Sequence, residues 1–226
     1  MDGLIGRWLP TDVGNSSGGR GVTEVPGRLW PRDSWKGAFW LALAGLVALS
    51  AWLDDRFVFN LHDREWPRLL SVMLLLPHAI CGVTALMLGP LQFSDRLRAA
   101  RPGVHRNIGW IYVVAALFAG PSAAVIALQH HPFPIAIVQT FQGGLWALAT
   151  IIALYYAVRR RFQPHRLWMM RSYGFCLVFV LGRLPDLVPH FDWPGVPGVT
   201  VMWTAILIAL IGPDLILAAR EEARRR

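Results

Sequence analysis

The residues best placed to do chemistry in this 226-residue chain are histidines and arginines at the edges of long apolar runs. Two stretches read alike: Arg101-Pro102-Gly103-Val104-His105-Arg106 and Arg161-Phe162-Gln163-Pro164-His165-Arg166. Each sets a proline, then His-Arg, at the opening of an apolar segment, and proline favours the first helical position. The start of a helix is its positive end, with unpaired N–H groups, so His105, Arg106, His165 and Arg166 together suit a phosphate, an anionic lipid headgroup or a quinone carbonyl. The imidazoles of His105 and His165 are also a candidate metal-ligand pair, approaching from opposite sides at about 2.0 Å. Met169 or Met170 offers a thioether in place of one of them. Two ordinary basic turns, each with a helix-starting proline, would read the same way.

A second set of polar groups lies deeper. Ionisable side chains in hydrocarbon cost several kcal/mol and usually mark function or a partner. His78 shares a helical face with Gly82, Ala85 and Gly89, and His105 with Gly109, Tyr112, Ala116 and Gly120. Such small-residue faces admit another backbone or a flat cofactor. Gln139 and Gln142 fall at about the level of His78, which predicts an outward-facing pocket of His78, Gln139, Gln142 and Arg183, or else plain interhelical hydrogen bonds. Arg171 and Asp214 both lie about 8–9 Å inside the same boundary at 1.5 Å per residue, and an unpaired charge at that depth is costly. They are expected to pair. Arg183 and Asp186 are spaced to pair locally.

Other chemistries find little support. Lys36 is the one lysine, and no Gly-rich phosphate loop precedes it. His130-His131 and the remote Cys81 and Cys176 lack zinc-site spacing. No serine or cysteine comes with a histidine and carboxylate in a hydrolase motif.

The elements that must position these residues follow from composition. Hydrophobic residues make up 54% of the chain and charged ones 16%, with mean hydropathy +0.42, whereas a soluble domain carries about 25% charged residues. A domain this small cannot hide the excess in a core. The chain is expected to be an all-α integral membrane protein, because backbone groups in lipid must be satisfied internally and no alternating barrel pattern is present. Six runs approach the roughly 20 residues needed to cross: 37–53, 68–92, 107–129, 134–158, 166–189 and 199–219. The second to fifth, as two hairpins in the same orientation, would form a four-helix core. Residues 1–35 read as a polar, flexible segment ending in an interfacial Trp/Arg run, without a cleaved signal peptide. Residues 36–219 form the transmembrane domain and 220–226 a basic tail.

Arginines crowd the turns after the second and fourth runs and the tail, while Asp54, Asp55, Asp63, Glu65 and Asp192 fall in the opposite loops. The positive-inside bias then puts both termini in the cytoplasm, in a bacterial inner membrane. The net charge of +8 reports topology and anionic lipid headgroups, with no nucleic acid as partner.

From Leu76 to Arg171 the chain resembles an uncharacterised family of bacterial multi-spanning membrane proteins. The likeness rests on Pro77-His78-Ala79-Ile80-Cys81-Gly82-Val83-Thr84-Ala85-Leu86, on Leu88-Gly89-Pro90-Leu91-Gln92-Phe93, on His105-Arg106-Asn107-Ile108-Gly109, and on His165-Arg166-Leu167-Trp168-Met169-Met170-Arg171-Ser172-Tyr173. That family brings no activity with it. A looser resemblance is to transmembrane b-type cytochromes of the ascorbate-reducible kind. It implies haem b held by His105 and His165 near one face. Near the other face it wants a partner for His78 on the fourth run, where Gln139 and Gln142 stand. The expectation is a haem- or quinone-binding protein in electron transfer. The alternatives are an accessory subunit of a larger respiratory or photosynthetic membrane complex, or a small-solute or proton transporter.

Overall fold

A computed structural model describes residues 40–45, 47–48, 68–182 and 198–225, and among them every regular element is a helix. In chain order these are α1 (Arg68–Gln92), α2 (Asp95–Ala100), α3 (Pro102–His130), α4 (Phe133–Val158), α5 (Phe162–Leu181) and α6 (Gly198–Arg225). Residues 40–45 and 47–48 are helical as well. The remainder of the first expected run, the 1–35 segment, Arg183 and Asp186 lie outside the described residues.

Local signals set the boundaries. Pro102 occupies the first turn of α3, so this helix begins five residues before the expected 107 and takes His105 into its body. Ser94 caps α2, its Oγ accepting from Leu97 N–H at 3.2 Å. The α4–α5 turn reverses at Arg160, whose φ of 56° is left-handed, and Arg161 N–H donates back to Tyr156 O at 2.9 Å. Glycine is the usual residue at such a helix end; here an arginine keeps a cation there.

Successive helices pack as antiparallel hairpins, α1 on α3, α3 on α4, α4 on α5 and α5 on α6, while α1 meets α5 over a shorter stretch. The four-helix core is therefore α1, α3, α4 and α5, corresponding to the second to fifth expected runs. In this ring α3 and α5 run in the same direction at opposite corners. The tightest approach is between α3 and α4: a Cβ on Gly120 would fall 2.7 Å from Gly143 O, and one on Gly143 would collide with Gly120 O. Without solvent-driven association between helices in lipid, such close backbone contact is a principal source of packing energy.

The faces turned away from this core stay apolar. Val114, Val125 and Leu128 of α3, Leu148 and Ile151 of α4, and Leu207, Ile208 and Leu215 of α6 are all exposed, as hydrocarbon-facing surfaces should be. Among the described residues, four helical segments are long and apolar enough to cross a membrane: Met73–Gln92, Pro102–Gln129, Phe133–Val158 and Val199–Ala223. The fifth expected run is a 20-residue helix, α5, but Gln163, His165, Arg166 and Arg171 make it too polar to join them. Of the six expected runs, four stand by this measure.

Gly120→Val should therefore cost on the order of 1–3 kcal/mol through overpacking, read as a lower melting temperature in detergent. At Gly82 a methyl group would meet nothing within 4 Å, so Gly82→Ala should leave that temperature unchanged or slightly raised.

Candidate functional site

The centre of the bundle is tied by hydroxyl groups. Tyr112 of α3 and Ser172 of α5 are fully buried, and their oxygens lie 2.8 Å apart. Thr150 of α4, also fully buried, donates to Trp146 O at 2.8 Å. Its proton being committed there, Thr150 accepts from Ser172 at 2.7 Å. Ser172 then accepts from Tyr112, and Tyr112 accepts from the Trp146 indole N–H at 3.4 Å. The chain of donors leaves Trp146 by its side chain and returns to its own carbonyl. Every hydroxyl proton is spoken for, which makes this closed circuit a structural tie.

That tie sets the level of the histidines. His105 precedes Tyr112 by seven residues and His165 precedes Ser172 by seven, two helical turns or about 10 Å along the axis. Since α3 and α5 run in parallel, a hydrogen bond between Tyr112 and Ser172 brings His105 and His165 to one level on opposite corners, near the end where both helices begin. His105 and His165 are within Coulombic range of each other, and Arg98 is within range of His105.

The two imidazoles are held differently. His165 Nδ1 lies 2.8 Å from Ala153 O on α4; a carbonyl only accepts, so Nδ1 carries a proton, and in the neutral ring Nε2 keeps its lone pair. His105 is partly exposed, but its Nδ1 is buried and no described residue bonds to it. Gln92 donates weakly to His105 O at 3.4 Å, and its side chain lies against Gly109. The small-residue face behind His105 is thus taken up by Gln92 at Gly109, by the Tyr112 tie and by Gly143 at Gly120. Charge surrounds the pair: Arg106 is exposed, and Arg166 is exposed with Asp95 of α2 3.8 Å away. Asp95 also bonds to Arg98. The exposed Arg106 and Arg166 leave this end polar and cationic.

Of the residues expected in the outward-facing pocket, His78 and Gln142 bond to different partners. His78 Nδ1 lies 2.9 Å from Ser122 Oγ on α3, and Ser122 donates to Phe118 O and Ala119 O at 2.8 and 3.1 Å, so His78 is the donor. Its ring meets Phe179 edge-on. Gln142 is buried and donates to Phe175 O at 2.8 Å. Each bonds to a different neighbour, His78 across α1–α3 and Gln142 across α4–α5; Arg183 is outside the described residues. The flat-ring face expected beside His78 is covered at Gly89 by the Tyr173 ring, whose hydroxyl donates to Leu86 O at 3.2 Å. Met169 is buried in the apolar core. Among the described residues no three His, Cys, Asp or Glu side chains converge as metal ligands.

The expected Arg171–Asp214 pair is present, Nη2 donating to Oδ2 at 2.6 Å. Arg171 also donates to Leu210 O at 3.1 Å and stacks on Trp168 at 4.5 Å, so it fastens α6 to α5. The Tyr112–Ser172–Thr150 tie is what sequence reasoning missed. A signal existed: Tyr112 and Ser172 stand 60 residues apart, the same separation as His105 and His165, so the repeat runs two turns past the His-Arg pairs.

Two outcomes follow for stability. Ser172→Ala removes the acceptor of a buried tyrosine and should cost about 1–3 kcal/mol, seen in thermal or denaturant unfolding in detergent. Arg171→Ala and Asp214→Ala should be non-additive, with a coupling on the order of 1 kcal/mol in a double-mutant cycle.

Compared with known proteins, the chain matches no curated protein and no solved structure. A family model matches it over residues 75–219, which takes in α3, α4 and α5, most of α1 and α6, and both His-Arg turns. On that match the chain belongs to the DUF2306 family, described as a predicted membrane protein.

Proposed function

We propose that this chain is a membrane-embedded electron-transfer protein that binds a redox-active ring, a quinone or haem b, at the level of His105 and His165. The observation that carries the reading is the Tyr112–Ser172 tie, which sets two imidazoles at one level on opposite corners of a four-helix core, with Arg106 and Arg166 beside them. For a quinone, imidazole and guanidinium N–H groups would hydrogen-bond the ring oxygens. For haem b, His105 and His165 would hold the iron, and the haem would supply reversible one-electron chemistry. In a neutral His165 ring the Ala153 carbonyl orients the imidazole and leaves Nε2 bare, which suits an iron; toward a quinone the N–H groups would come from His105 and the arginines. The hydroxyl circuit beneath counts against a proton path to the opposite face, since none of its protons is free to move on.

In this reading the bundle has six membrane-spanning helices, α5 among them and 37–53 the first, in the inner membrane with both termini cytoplasmic. The His105–His165 end then faces the cytoplasm, where Arg96, Arg98, Arg101, Arg159, Arg160 and Arg161 lie among anionic headgroups. The α5 arginines suit this placement: Arg166 opens the helix at the headgroups and Arg171 is paired.

Purified full-length protein should carry one of the two groups, seen as sharp b-type bands after dithionite or as a quinone in the organic extract, and His165→Ala should lower its content at least tenfold. A folded preparation carrying neither, and taking up neither on addition, overturns the proposal. Fluorescent-protein fusions at the C-terminus and phosphatase fusions near His131 should both be active if the orientation is right; the reverse pattern reverses the topology.

A further inference from the structure

We infer that His105 and His165 form a donor–acceptor pair, so that the ligand of the site proposed above is a hydroquinone, bound in preference to its quinone. The inference rests on that reading and deepens it by selecting among its ligands.

The argument is one of proton placement. His165 spends its Nδ1–H on Ala153 O at 2.8 Å, so what its neutral ring has left for a ligand is the lone pair of Nε2. His105 has the opposite remainder. Its Nδ1 is buried without a described partner, and a buried N–H lacking an acceptor costs about 1–3 kcal/mol and is rarer in proteins than an unfilled acceptor. The proton therefore belongs on Nε2, which makes His105 a donor. A doubly protonated ring would bury the same unpaired N–H and is disfavoured for the same reason.

The difference between the two rings has a structural cause in the repeat. The first-hairpin counterpart of Ala153, 60 residues earlier, is Phe93. Ala153 is inside α4, five residues before its end at Val158, and offers a carbonyl at the right depth. Phe93 comes just after the end of α1 at Gln92, in a turn where its N–H bonds to Pro90 O at 3.2 Å. The earlier end of α1 within the repeat leaves His105 without the carbonyl that His165 has.

A ring held between these two groups must receive a hydrogen bond from His105 and give one to His165. A hydroquinone does both, since each of its hydroxyls can donate and accept. A quinone has acceptors alone, and one carbonyl would face the bare nitrogen of His165. A metal held by both histidines needs two bare nitrogens, which would force the His105 proton onto its buried Nδ1. Hydroquinone should thus bind at least tenfold more tightly than quinone, which by linkage raises the potential of the bound two-electron couple by about 30 mV per tenfold.

The test is anaerobic titration of full-length protein in nanodiscs with a short-chain benzoquinol, the matching benzoquinone and hemin, each followed by tryptophan fluorescence and calorimetry. The expected result is a quinol-to-quinone affinity ratio of ten or more, falling toward one in His165→Gln, whose amide can donate to a carbonyl. The ratio is measured on one folded population, so partial loss of protein does not affect it. Equal or tighter binding of the quinone overturns the inference and leaves the electron-transfer reading intact. So does hemin binding with a two-histidine spectrum that both His105→Ala and His165→Ala abolish. Failure of monodisperse protein to bind any of the three overturns both.

Discussion

Hydrogen bonding with no water to compete is the constraint on which this bundle rests. In hydrocarbon a side-chain hydroxyl has few alternatives to another protein atom, and the Tyr112, Ser172 and Thr150 oxygens meet one another across three helices. Apolar packing alone would let α3 slide along α5 with little change in contact, because leucine against leucine resembles leucine against lipid. The Tyr112–Ser172 bond removes that freedom, and a one-turn slip would leave a tyrosine hydroxyl unpaired. The level of the histidine pair is a consequence of this bond two turns away.

Around that tie the helices use two further devices. Glycine at 120 and 143 allows backbone contact between α3 and α4, and the Arg171–Asp214 pair with the Leu210 carbonyl fastens α6 on the outside. The pair leaves neither charge alone at a depth where that is costly, and the Arg171 guanidinium also stacks on Trp168. His78 belongs with these devices: its bond to Ser122 joins α1 to α3 in the way Gln142 joins α4 to α5. Among the described residues, the polar groups between the helices mostly hold helices together, and His105 and His165 lie at the end where α3 and α5 begin.

The internal repeat explains both the likeness and the difference of the two histidines. Two hairpins in the same orientation place equivalent residues opposite each other near the bundle centre, which is why a tyrosine and a serine 60 residues apart can touch. Equivalence ends where the helices end. Gln92 closes α1 while α4 continues to Val158, so one imidazole finds a carbonyl and its counterpart finds none.

Much of this is legible in the chain itself. Long apolar runs with few charges dictate helices in lipid because no other backbone arrangement satisfies its own hydrogen bonds there, and the run 68–92 coincides with α1 to the residue. Prolines mark the starts of α3 and α5, although Pro102 carries α3 five residues further back than apolarity alone suggests. The Arg171–Asp214 pair follows from depth, since rise per residue is the same in every helix. Composition could not decide which polar groups meet. Gln142 and His78 lie at similar depth yet face different neighbours, because rotation about a helix axis is set by packing and not by sequence distance. The helix pairing, the hydroxyl circuit and the unequal surroundings of His105 and His165 belong to tertiary structure, which alone fixes how each helix is turned toward the next.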